Sequence, residues 1–114
     1  MGKRVYQRVE VHGFHGDVSD GMGFFPGHVS DISRFGLRMT DLPSRVNEKA
    51  SRMTVVINGE GKNFKMLLKP KWSQASGLRK TVGFEIMNTP YEWTDFVLRR
   101  EPKDEKDDWD VIIL

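Results

Sequence analysis

The chain has 114 residues, 38% of them hydrophobic and 30% charged, with a formal net charge of +2 and no cysteine. These totals suit one soluble domain with one modest core and exclude a disordered chain, disulfides and cysteine-based zinc sites. No apolar run approaches the roughly 20 residues of a membrane helix, and no apolar h-region follows Met1-Gly2-Lys3-Arg4, so a cytoplasmic protein without membrane contact is expected.

Val9-Glu10-Val11-His12 alternates and reads as a strand beginning near Arg8, with Gly13 marking a bulge. Residues 16–23 are rich in Gly, Asp and Ser and read as a turn. Phe24 to Asp31 is the returning strand, weakened by Pro26 and Gly27. Gly36 to Thr40 is a short strand, and Asp41-Leu42-Pro43-Ser44 a loop. Met53 to Ile57 is a β run closed by the turn Asn58-Gly59-Glu60-Gly61. Phe64, Met66, Leu68 and Trp72 then share one face, opposite Lys65, Lys69 and Lys71. Pro70 calls for an edge position or a bulge. Residues 74–80 read as a turn, and Thr81 to Met87 as a strand.

The only strong helix begins at Thr89. Thr89-Pro90-Tyr91-Glu92 has capping-box form with proline at the first helical position. Trp93, Phe96 and Val97 follow at helical spacing, Arg99 and Arg100 complement the end of the dipole, and Pro102 stops extension. About six strands and a final helix, with short connections, fit a mainly all-β fold: a six-stranded antiparallel β-barrel capped by a C-terminal α-helix. Residues 1–100 form this domain. Residues 101–114 form an acidic arm with the apolar end Trp109 to Leu114, expected to pack on the barrel or on a second subunit as a homodimer. The arm has net charge −4 and residues 1–100 carry +6. A mildly cationic body suits an anionic ligand, as it does an ordinary solvated surface.

Two motifs stand out. Arg4-Val5-Tyr6-Gln7-Arg8 is an R-x-x-x-R pattern, and Asp31-Ile32-Ser33-Arg34-Phe35-Gly36 is a D-x-S-x-x-G pattern at a strand end. In this order they resemble the PilZ family, whose two sequence marks they are. Lys71-Trp72, the strand Val82-Gly83-Phe84-Glu85-Ile86 and the helix after it extend the resemblance over roughly residues 3–100. The resemblance implies a receptor for cyclic di-GMP, a ring of two guanines and two phosphates. It needs no cofactor, and its occupancy is relayed to a protein partner in motility, biofilm or polysaccharide control.

The residue types suit that ligand. Arginine grips phosphate bidentately, stacks on purines and donates twin bonds to guanine O6 and N7. In extended chain Arg4 and Arg8 project to one face about 13 Å apart. By resemblance they take the guanine edges and phosphates. Asp31 suits the N1–H and N2–H donors of guanine, Ser33 adds a hydroxyl, and Gly36 permits positive φ or close backbone approach. Arg34 and Phe35 are candidates to stack on a base. The resemblance also implies a switch, in which ligand draws the arginine segment across the barrel and changes the exposed surface.

Plainer readings compete. Arg4 and Arg8 could be solvated charges, and Asp31 to Gly36 a plain Asx or ST turn. His12, His15 and His28 lack metal-ligand spacing, so no metal site is expected. Trp72, Phe84, Trp93 and Phe96 read as core, and Lys65, Lys69 and Lys71 as a solvated face. No nucleophile or phosphate-loop motif is present, so no enzyme is expected. Two other functions stand as alternatives: a PilZ-like adaptor that binds protein and no nucleotide, and a small barrel for single-stranded nucleic acid. Five Lys/Arg against four Asp/Glu in residues 1–40 argue against nucleic acid as partner.

Overall fold

The structure, a computed structural model, describes residues 7–102; Arg4, the charged run 103–108 and the apolar end 109–114 lie outside the described residues. The described chain forms strands β1 (Val9–Glu10), β2 (His15–Ser19), β3 (Phe24–Ser33), β4 (Gly36–Pro43), β5 (Met53–Gly59), β6 (Lys62–Ser76) and β7 (Arg79–Met87), then helix α1 (Tyr91–Leu98). Hydrogen-bonded neighbours run β3–β2–β5–β6–β7–β4, and β4 pairs again with β3. All pairings are antiparallel, so six strands close into a barrel, from which the end of β6 runs on beyond Leu68 paired with β7 alone. This is the all-β barrel with a C-terminal helix that the residue pattern predicts. The short β1 adds a further pairing, with Val9 opposite Ile32 and Glu10 opposite Asp31.

The period-two pattern decides which side chains fill the barrel. Val18, Met39, Leu42, Ile57, Leu68 and Val82 are buried inside it. Helix α1 turns Trp93, Phe96 and Val97 into the same core. Phe96 meets the Phe14 ring edge-on at 5.6 Å, and Trp93 meets Phe64 at 5.1 Å. The Trp93 indole N–H donates to the Ser33 carbonyl at 3.1 Å, which ties the helix to the end of β3.

Several boundaries differ from those the sequence suggests. The first strand is split: Gly13, at φ 76°, turns the chain between β1 and β2. Residues 16–19, expected as a turn, belong to β2. Gly16 is buried in β2, where a Cβ would come within 2.8 Å of the end of the Met39 side chain, so it packs in a strand rather than turning the chain. Asp41 to Pro43, expected as a loop, continues β4 through a register shift with Asp41 at φ 62°. β6 likewise runs on to Ser76, so the β6–β7 turn is shorter than residues 74–80. The capping box does not form: Pro90 holds the N-cap position without a side-chain hydrogen bond. Arg99 and Arg100 fall just past the last helical turn, where Arg99 pairs with Asp95 at 2.9 Å and Arg100 lies over the Phe96 ring.

The β2–β3 turn is held by Asp20. Its carboxylate accepts from the backbone N–H groups of Met22 (2.8 Å), Gly23 (3.2 Å) and Asn47 (3.0 Å), which joins the hairpin to the loop before β5. The Asn47 N–H, opposed by burial and helped by those of Met22 and Gly23, holds the Asp20 carboxyl below its usual range. A depressed folded pKa contributes stability above the unfolded value, about 3.9, which is lost as pH falls through the folded value. Melting curves between neutral pH and acid should therefore show a smaller loss of Tm on acidification for Asp20→Asn than for the unsubstituted protein. Equal losses would remove Asp20 from the acid limb.

Candidate functional site

Asp31 is placed by an irregularity in β3. Across β3 and β4, Val29 is opposite Met39 and Asp31 is opposite Arg38, so Ser30 is the extra residue of a β-bulge. Phe25, Gly27 and Val29 are buried before the bulge, and Ile32 after it. The bulge shifts the alternation by one and leaves Ser30 and Asp31 together on the outer face, against Arg38.

Asp31 is nevertheless only 5% exposed. A buried carboxylate is costly unless paired, and here two cations pair with it. Arg38 Nη2 lies 2.6 Å from one carboxylate oxygen, and Arg8 Nη1 lies 3.6 Å from the other. Arg38 is itself held: its Nε–H donates to the Ser30 hydroxyl at 3.1 Å, and that hydroxyl donates to the Arg38 carbonyl at 3.2 Å.

Beside this cluster runs a groove of about 420 Å³, lined by residues that include Arg8, Asp31, Ser33, Phe35, Gly36, Lys71, Trp72 and Glu85. Five segments of the chain build it: the approach to β1, the end of β3, the start of β4, and facing stretches of β6 and β7. The Ser33 hydroxyl reaches the Gly36 carbonyl at 3.5 Å across the β3–β4 turn. Gly36 is not among the positive-φ glycines. Its missing side chain instead allows close approach, since a Cβ would stand 3.0 Å from the Phe84 carbonyl.

Trp72 corrects a sequence expectation. It is 40% exposed and lines the groove rather than the core. The register of β6 against β7 shifts between Pro70 and Trp72, the bulge that Pro70 foretells. The indole then lies against Gly83, in the space that a Cβ there would take. Lys71 keeps the solvated face expected of it and also borders the groove, 3.6 Å from the Glu85 carboxylate. Phe84 is buried as expected, yet it also lines the groove.

Of the residues singled out from the sequence, Arg8, Asp31, Ser33, Gly36 and Phe35 meet in this groove. Arg34 does not line it: its guanidinium grips Glu101 with two hydrogen bonds of 2.8 and 2.9 Å, fastening the segment after α1 to the β3–β4 turn. Arg4 lies outside the described residues. Sequence reasoning missed Arg38, Lys71, Trp72, Gly83 and Glu85 as site residues. Pro70 was the available signal for Trp72, because a bulge there carries it from the core side to the side on which Lys71 stands. Among the described residues, no group of three or more His, Cys, Asp or Glu could hold a metal ion. No helix among them is long and apolar enough to cross a membrane.

The arrangement offers cations for an anion, carboxylates for N–H donors, and an indole and a phenyl face for a planar ring. Gly83→Ala should force the indole off the β7 backbone, at a cost of about 1–3 kcal/mol. In NMR spectra one of the three indole N–H resonances should move while far-UV circular dichroism stays constant. An unmoved set of indole resonances would contradict the Trp72–Gly83 contact.

No protein-family model matches the sequence, and neither does any curated protein. Solved structures do match its fold. The Bacillus subtilis inhibitor of motility, MotI/DgrA, superposes with a TM-score of 0.66 at 10% identity, over 87% of this chain and 49% of that one. Escherichia coli YcgR in complex with c-di-GMP gives 0.67 at 14% identity, over 85% of this chain and 43% of YcgR. The isolated PilZ domain of YcgR with c-di-GMP gives 0.62 at 14% identity, over 85% of this chain and 87% of that domain. This chain thus spans less than half the length of MotI/DgrA and of YcgR, and most of the isolated domain. Its barrel and helix have the PilZ-domain fold.

Proposed function

We propose that this protein is a cyclic di-GMP receptor whose ligand lies in the groove between Arg8, Asp31 and Trp72. The observation that carries the reading is the convergence of Arg8, Asp31, Ser33 and Gly36, residues of two motifs far apart in sequence, on one groove of a PilZ-type fold. YcgR and its isolated PilZ domain, which share that fold, are structures with c-di-GMP.

In this reading Arg8 turns from Asp31 toward a phosphate or the O6/N7 edge of a guanine. Asp31 accepts from guanine N1–H and N2–H, a donor pair that adenine does not present. Lys71 adds positive charge beside the phosphates, and Trp72 and Phe35 offer stacking faces. Arg4 joins Arg8 as the second arginine of its motif. The protein is a receptor rather than a catalyst, acts in the cytoplasm where the messenger would be made, and relays occupancy to a protein partner.

An adaptor that binds protein and no nucleotide gains some support from exposed Met22, Phe24 and Leu78. It leaves the charge of the groove without a purpose. A track for single-stranded nucleic acid needs unopposed cations. Here Arg8 and Arg38 face Asp31, and Lys71 faces Glu85.

Isothermal titration calorimetry with cyclic di-GMP, with GMP as control, tests the proposal. Saturable binding of cyclic di-GMP alone is expected, with a loss of about 30-fold or more in Arg8→Ala, whose circular dichroism should not change. No heat from the unsubstituted protein at high ligand concentration would overturn the receptor reading in favour of the adaptor.

A further inference from the structure

Two arginines share Asp31, and the geometry gives them different work. Arg38 is close, at 2.6 Å, and is braced by Ser30 through reciprocal hydrogen bonds of 3.1 and 3.2 Å. It comes from the outer face of β4, a strand paired on both sides there, and lies directly opposite Asp31 in the register. It does not line the groove. Arg8 stands farther off, at 3.6 Å, precedes the two-residue β1, and does line the groove.

A carboxylate that is 5% exposed cannot lose all its positive partners without a large penalty. If Arg8 alone balanced Asp31, a ligand phosphate could recruit Arg8 only by leaving that buried charge bare. With Arg38 in place, Asp31 stays paired when Arg8 is handed over. Arg38 also holds one carboxylate oxygen, so that once Arg8 moves the other oxygen is left for donors in the groove.

We propose that Arg38 is a positioning residue for guanine selection: the resident counter-ion of Asp31, set by the Ser30 bulge, which orients the carboxylate toward guanine donors and frees Arg8 for the ligand. The proposal rests on the receptor reading for its ligand and on the ligand-free protein for its charge balance, so the two are tested separately.

In the ligand-free protein, urea denaturation of Arg38→Met and Arg8→Met compares the two partners. Arg38→Met should have the lower midpoint. The reverse order would overturn the resident role whatever the ligand does. For recognition, titration calorimetry compares cyclic di-GMP with its inosine analogue, which lacks the 2-amino donors. Arg38→Met should lose about tenfold or more in affinity for cyclic di-GMP and distinctly less for the analogue, so that preference for guanine collapses. Arg38→Lys, which keeps a cation but not the Nε–H bond to Ser30, should recover part of that preference. Equal losses for both ligands, or an unchanged preference for guanine, would reduce Arg38 to a fold residue and overturn the proposal. Absence of binding of either ligand to the unsubstituted protein would overturn the receptor reading and the selection role with it, while the order of denaturation midpoints would still decide the counter-ion role. Were Arg38→Met to fail to fold, Arg38→Lys and Ser30→Ala would decide instead: both should lower the preference for guanine, and an unchanged preference in both would overturn the proposal.

Discussion

The buried Asp31 carboxylate and the two guanidinium groups around it are the constraint on which the site depends. A charge 5% exposed on the outer wall of a barrel is tolerated only with partners in place. The partners come from different parts of the chain: Arg38 from across the β3–β4 ladder, and Arg8 from the segment that leads into β1. β1 pairs with β3 at Ile32 and Asp31, so the register that brings Arg8 near the carboxylate is a property of the sheet. One extra residue, Ser30, turns Asp31 outward; without it the alternation of Phe25, Gly27 and Val29 would carry Asp31 into the core.

A second bulge shapes the opposite wall. Pro70 cannot donate to the ladder, and the register slips between it and Trp72. The indole then rests on Gly83, where no larger residue leaves room. Two departures from regular pairing, one on β3 and one on β6, flank the concave surface; a third, on β4 between Met39 and Leu42, lies away from it. At its bulge β3 has neighbours on both sides, β1 and β4, whereas β6 beyond Leu68 is paired with β7 alone.

Much of this was legible in the residues. The alternation in Phe64 to Leu68 and Val82 to Ile86, the turn at Asn58 to Gly61 and the helical spacing of Trp93, Phe96 and Val97 gave the barrel and its helix. The two motifs led to Arg8, Asp31, Ser33 and Gly36. What escaped depends on contacts between strands. Trp72 looked like core because the period of two carried it there, and the slip at Pro70 that reverses its face is fixed by β7. Arg38 sits on an ordinary outward position of a short strand, and only the register names its partner. Gly16 looked like a turn residue, whereas a core methionine claims its space. The Thr89 cap went unused because the helix starts one residue later than the box requires, with Pro90 rather than Thr89 at the N-cap.

The central claim is that one groove, bounded by Asp31 and Trp72, receives the ligand. A titration of isotope-labelled protein with cyclic di-GMP, followed through its backbone amide and indole N–H resonances, tests this most directly. The account predicts shifts concentrated at Arg8, Asp31 to Leu37, Lys71, Trp72 and Gly83 to Glu85, with the face of α1 that carries Tyr91 and Asp95 unmoved. Shifts centred on that helix face, or on the barrel end around Pro43 and Leu78, would place the ligand elsewhere and contradict it.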